Sequence, residues 1–276
     1  MQISNNKVKV EFIKRCAQIS SFKKQNSEKE FMWQGDPKYW GDRNPVLFPM
    51  VGNTYSQEYQ IDGKVYKMKN HGLVRYMDFE LVAQENDFIE FKTQANQETL
   101  KRYPFNFEFI VRYSLENSRL VIKYTILNKD NKVMPFTFGL HPAFNTFENF
   151  EDYKVALAEN EDNLFQIIDG DKVKISQLQE FNLSRSELDK YGTIIYQNFK
   201  SEYLDLISSN DTIRIGFKGY KYLAFWSKPN APFICVEPWY GLGELKNTGK
   251  NFEKLEGMMS LEPNNIFETS YYIELL

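Results

Sequence analysis

Two histidines, His71 and His141, are the only imidazoles in the sequence. Imidazole is the side chain best suited to moving protons near neutral pH. His141 closes the run Met134-Pro135-Phe136-Thr137-Phe138-Gly139-Leu140-His141-Pro142. On a strand, Phe136, Phe138 and Leu140 share one face, and Thr137, Gly139 and His141 share the other. Two small residues ahead of the imidazole predict open space over that face, and Pro142 biases His141 to an extended backbone. A hydrogen-bonded histidine at a strand end fits the same pattern. Glu237 ends a short apolar run, Ala231-Pro232-Phe233-Ile234-Cys235-Val236-Glu237, and again precedes a proline, Pro238. A carboxylate inside such a run is rarely buried without a reason. Burial against Phe233 or Trp239 would raise its pKa and make it a better base. An exposed acid just past a strand end is the plainer alternative. Cys235 falls on the same face, and nothing near it marks an activated nucleophile, so it reads as a small packed residue. His71 lies in Asn70-His71-Gly72-Leu73-Val74-Arg75, where loop-borne His and Arg beside Gly suit ligand contact as well as a solvated loop.

Other chemistries lack their signatures. The sequence has no HExxH, no CxxC and no third histidine, so no metal and no metal cofactor are expected. Neither GxSxG nor a Walker loop occurs. Thirty-four basic against 37 acidic residues give a formal charge of −3, which argues against a nucleic-acid partner. No run approaches the roughly 18 apolar residues of a membrane-spanning helix. The first residues carry no apolar signal segment, and two cysteines, Cys16 and Cys235, build no disulfide framework. The expectation is a cytoplasmic protein with reduced thiols.

Strands must position these residues. Residues 7–14 alternate, with Val8, Val10 and Phe12 on one side. Segments 59–61 and 64–68 meet across Asp62-Gly63, and 165–168 and 172–175 across Asp169-Gly170; Asp-Gly tolerates the positive φ angles of a tight hairpin. Further pairs flank short polar turns: 79–82 with 88–91, 107–115 with 120–127, and 203–207 with 212–217. Short strand–turn–strand spacing implies antiparallel pairing, and the helical crossovers of a parallel sheet are missing. Ser184-Arg185-Ser186-Glu187 reads as a capping box opening one short helix. With no linker or internal repeat, residues 1–276 are expected to form one all-β domain, a large antiparallel β-sandwich whose curved sheet makes a cleft. Aromatics, at 16% of residues with 23 Phe and 17 Tyr, suit a strand-rich core and can also stack on sugar faces.

Taken in order, His71-Gly72-Leu73-Val74-Arg75, Gly139-Leu140-His141-Pro142 and Cys235-Val236-Glu237-Pro238-Trp239 resemble the galactose mutarotase-like (aldose 1-epimerase) family. Asn44-Pro45-Val46-Leu47-Phe48-Pro49 with Gly52, and Leu223-Ala224-Phe225-Trp226-Ser227, resemble its LacX-like branch. The resemblance implies a β-supersandwich with a concave sugar-binding cleft that interconverts the α and β anomers of an aldose without a cofactor. It gives His141 the role of general acid at the ring oxygen and Glu237 that of general base at the anomeric hydroxyl. His71 would bind and polarise the sugar, and Arg75, Arg43 and Trp239 would contact it. A further sugar-binding aspartate known in some relatives has only Asp189 and Asp205 as candidates. His141 and Glu237 are expected to enter one cleft from opposite sides of a space about the size of a pyranose ring. A hexose-phosphate mutarotase, drawing on Arg43, Arg75, Lys69 or Lys221 for the phosphate, and a non-catalytic carbohydrate-binding protein are the alternatives.

Overall fold

The computed structural model describes residues 1–147, 149–244 and 250–276. The long hairpin Phe107–Glu116 and Arg119–Asn128 shows how the sequence sets the architecture. Its inward residues Phe107, Phe109, Val111, Tyr113 and Leu115 alternate with partly exposed ones, the period-2 pattern of a sheet with one wet face. Arg119 faces Glu116 across a turn in which Asn117 takes φ 57°. The strand Ile266–Leu275 pairs with the other edge of Arg119–Asn128, with Leu120 opposite Ile273.

Among the described residues these strands form the middle of a nine-stranded sheet. Thr212–Gly216, Tyr203–Ile207, Lys154–Glu161 and Leu178–Asn182 continue it on one side, and Phe88–Gln94 and Glu80–Gln84 complete the other. An eight-stranded sheet runs Asp171–Ile175, Leu164–Ile168, Thr193–Gln197, Tyr222–Trp226, Phe233–Trp239, Gly139–Leu140 and Val46–Leu47, with Ala143–Asn145 also on Phe233–Trp239. Every ladder in both sheets is antiparallel. The all-β antiparallel sandwich is therefore the observed architecture. Its main core joins Phe91, Phe107 and Phe109 of the larger sheet to Leu223, Phe225, Ile234 and Val236 of the smaller. Phe48, fully buried, packs its ring 5.1 Å from Phe107 and 5.6 Å from Phe136, so much of the aromatic excess is core.

Two local expectations are corrected. The run from 134 to 141 is not one strand. Met134–Phe136 pairs with Met259–Leu261, and the chain then crosses to the eight-stranded sheet as Gly139–Leu140. Thr137 makes the crossing, donating its N–H to Pro49 O and accepting from Val51 N–H at its hydroxyl. The helix Arg185–Tyr191 is present, and Ser184 accepts from Glu187 N–H, but the Ser184 hydroxyl pairs with Ser186 and only this half of the box is made. A second, four-residue helix, Gln97–Leu100, carries a complete Asn96/Thr99 capping box.

Candidate functional site

Every residue of Phe233–Trp239 is buried. Ile234 and Val236 belong to the main core. On the opposite face Phe233 and Cys235 pack with Trp33, Ala143 and Ala231, and Trp239 packs with Leu47, Val51, Tyr222 and Ala224. Glu237 stands on this second face between the two apolar clusters and is 1% exposed. Removing its carboxylate from water drives its pKa well up, against the opposing pull of the Arg75 charge.

Gly139 faces Trp239 and Ala143 faces Cys235, a register that sets His141 directly opposite Glu237. Same-face cross-strand neighbours are close, and His141 Nε2 lies 3.4 Å from Glu237 Oε2. The two groups share one cavity but stand side by side, not across a ring-sized gap. Directly opposed residues on adjacent strands have Cβ atoms only about 4.5–5.5 Å apart, which favours side-by-side placement. Trp40 stacks on the His141 ring at 4.7 Å and 28°, and Trp226 meets its edge at 5.5 Å. Burial, reinforced by His71 and Arg75, pushes the His141 pKa well down. His141 Nδ1 and Glu237 Oε2 are both buried without hydrogen-bond partners.

His71 takes φ 64° at a sharp turn, and Gly72 follows at φ 79°. A Cβ on Gly72 would fall 2.3 Å from Phe48 O, so only glycine fits there. His71 N–H donates to Gly52 O at 2.7 Å, and Gly52 N–H donates to His71 Nδ1 at 3.0 Å. An accepting Nδ1 leaves the proton of the neutral ring on Nε2. Burial, with Arg75 nearby, holds the His71 pKa down at about 3, so the ring is a neutral donor. It meets His141 edge-on at 5.4 Å. Arg75, on the single turn Val74–Tyr76, is buried, and its Nη2 donates to Asp42 Oδ2 at 2.6 Å.

The space expected over Gly139 is filled. A Cβ there would meet Trp239 Cδ1 at 2.6 Å and Val51 Cγ2 at 2.8 Å, and Trp239 Nε1 donates to Leu140 O. The opening lies farther along, over His141 and Glu237. There a cavity of about 280 Å3 is floored by these two groups with His71 and Arg75, and walled by Trp40, Trp226 and Trp239. It has room for about nine water volumes of ~30 Å3, the scale of one monosaccharide. Tyr39, Asn70, Thr193 and Lys228 complete its lining.

Arg43 is not in this lining. Its guanidinium lies over Gly35, and it borders an adjoining groove with Arg15, Gln18, Trp40 and Asp42. Asp205 is held by Arg214 through two hydrogen bonds in the nine-stranded sheet, and Asp189 is exposed on its helix, so neither reaches the cavity. Lys69 borders a separate groove beside Tyr76, and Lys221 is exposed. Trp40, Asp42, Thr193 and Lys228 went unread in the sequence. The one available signal was the aromatic pair Tyr39-Trp40 inside a turn-rich Asp/Pro/Gly segment.

Cys235 adds a third potential metal donor. One donor atom each from His141, Cys235 and Glu237 lie within 4.8 Å of one another. Burial, with the Glu237 charge, pushes the thiol pKa well up, which leaves it a poor nucleophile.

Comparison with known proteins gives this geometry a family. The aldose 1-epimerase family model matches residues 1–205, a span holding His71, Arg75 and His141 and ending before Glu237. Protein LacX of Lactococcus lactis subsp. lactis is 27% identical, with 100% of this chain and 99% of that protein covered. A galactose mutarotase related enzyme from Lactobacillus acidophilus is 30% identical, with 100% and 97% of the two chains covered and a TM-score of 0.92. A galactose mutarotase-like protein from Lactobacillus casei ATCC 334 is 29% identical, with 100% and 99% covered and a TM-score of 0.93. Both alignments run through the strand that carries Glu237, and the chain belongs to the aldose 1-epimerase family, on its LacX-like branch.

Proposed function

We propose that the protein is a mutarotase that interconverts the α and β anomers of a hexose by general acid–base catalysis. The observation that carries this reading is the His141–Glu237 pair, 3.4 Å apart on the floor of a monosaccharide-sized cavity. Ring opening needs a base at the C1 hydroxyl and an acid at the ring oxygen. Both oxygens are bonded to C1, so two groups side by side can reach them together. Glu237 takes the hydroxyl proton while His141 protonates the ring oxygen. The C1–O5 bond breaks, the aldehyde turns about C1–C2, and O5 attacks the other carbonyl face. His141 then recovers its proton from O5 and Glu237 returns the other to O1, so the cycle consumes nothing.

One proton shared by the pair suffices. Burial penalises both charged forms, so in the free protein that proton rests on the carboxyl. Sugar hydroxyls donating to Glu237 favour the carboxylate and shift the proton to the imidazole. Each positioned group contributes about 10²–10⁴-fold, roughly 3–5 kcal/mol of barrier. His71 donates to the sugar from Nε2, Arg75 contacts its hydroxyls, and Trp239 packs against it, with Trp40 and Trp226 supplying apolar walls. Lys228 lines the cavity and forms no ion pair among the described residues, so a substrate with an anionic group away from C1, such as a hexose phosphate, is the second reading.

NMR exchange spectroscopy across galactose, glucose and their 6-phosphates, with Glu237→Gln as control, tests the proposal. Accelerated exchange that the variant loses is the expected result, and a Lys228→Ala effect confined to the phosphates would select the second reading. Sugar binding without accelerated exchange would replace catalysis with a carbohydrate-binding role.

A further inference from the structure

We propose that His141, Cys235 and Glu237 form an inhibitory site for a thiophilic divalent cation such as Zn2+. The cysteine has no part in anomer exchange, yet it lies beside the two groups that do. All three are buried, and their donor atoms fall within 4.8 Å of one another. Tetrahedral zinc, with ligands at about 2.0–2.3 Å, places neighbouring donors about 3.3–3.8 Å apart. His141 Nε2 and Glu237 Oε2 already stand at such an edge, 3.4 Å, and the thiol need close by only about 1 Å. Glu237 Oε2 has no hydrogen-bond partner to give up. Ala224 faces Glu237 and Ala143 faces Cys235, so each donor has a small residue opposite it on one neighbouring strand, while Trp226 stands opposite Cys235 on its other side. The cavity over His141 and Glu237 leaves a fourth position for water.

The identity of the ion follows from the donors. A thiolate with an imidazole and one carboxylate suits zinc, whereas magnesium and calcium prefer all-oxygen sites. On binding, the thiol and the Glu237 carboxyl each release a proton to solvent as the sulfur–metal and oxygen–metal bonds form, with no redox change. The metal then occupies the imidazole and carboxylate lone pairs that proton transfer requires, so exchange stops. The inhibition rests on the mutarotase reading; the binding does not.

The test adds Zn2+ to the purified full chain and follows exchange by NMR and binding by calorimetry, with Co2+ as a spectroscopic probe of thiolate ligation. Zn2+ is expected to inhibit reversibly, with activity restored by a chelator. Cys235→Ala should keep metal-free exchange within about threefold of the parent. It should need at least about tenfold more Zn2+ for half inhibition and lose the thiolate–cobalt absorption band, which also excludes Cys16 as its source. Cys235→Ser serves if the alanine variant folds poorly. Absence of the band in the parent, inhibition unchanged in the variants, or activation by Zn2+ would each overturn the proposal. Should the chain catalyse no exchange, calorimetry and the cobalt band still decide whether the site exists.

Discussion

Replacing Asp42 by asparagine removes the counter-charge of Arg75 while keeping the side chain's shape. The two meet at 2.6 Å, with side chains only 15% and 8% exposed. Breaking a buried pair from one side costs about 3–5 kcal/mol, because the surviving charge stays desolvated. Arg75 also borders the cavity, where water can solvate part of it, so about 2–3 kcal/mol is the expected loss. At roughly 2–4 °C per kcal/mol for a chain of this size, the melting temperature should fall by about 4–12 °C. Arg75, freed of its anchor, should also hold the sugar less well and raise KM. Thermal unfolding and exchange kinetics on Asp42→Asn and on Asp42→Asn/Arg75→Met separate the two effects. The double variant leaves no orphaned charge and should regain much of the stability but none of the affinity. A single variant melting within about 1 °C of the parent would refute the reasoning, as would a double variant no more stable than the single.

Glu237→Gln and His141→Asn should each lower kcat by at least about 10²-fold, read by NMR exchange. Glu237→Gln should also gain stability over the parent as pH rises. Because burial raises the Glu237 pKa, the parent's stability is full below the ordinary carboxyl pKa of about 4.3 and erodes as pH climbs through the folded value; urea unfolding at pH 4 and pH 8 measures the difference. His71→Asn can still accept from Gly52 but loses the Nε2 donor, so KM should rise about three- to tenfold, the worth of one hydrogen bond. Gly139→Ala pushes a methyl into Trp239 and should cost about 1–3 kcal/mol by calorimetry. A chelator should leave exchange unchanged in protein purified free of zinc.

The hairpins were legible because their turns are local. Asp62-Gly63 and Asp169-Gly170 take positive φ at both residues, and their strands meet in the register a two-residue turn dictates. The facing of Cys235 with Glu237, and of Val236 away from them, followed from strand alternation alone. What lay beyond reach was set by distant partners. Gly139 suggested open space, but its filler, Trp239, arrives from a strand 100 residues later. The His141–Glu237 separation depends on a cross-strand register that neither segment encodes by itself. Trp40 and Asp42 sit in a loop without periodicity, where no sequence pattern says which imidazole or guanidinium they will meet.

The place of Ile266–Leu275 in the middle of the larger sheet has a consequence for synthesis. Arg119–Asn128 can pair with its hairpin partner as soon as it leaves the ribosome, yet its other edge waits about 140 residues for the strand that covers it. At about 5–20 residues per second, that edge stays open for some 7–28 s, presenting unpaired backbone beside Leu120, Ile122 and Tyr124. An open edge of this kind templates intermolecular pairing. Yield in a heterologous host should therefore depend on translation speed between codons 128 and 275 and on chaperone supply during that interval, independently of how stable the finished protein is.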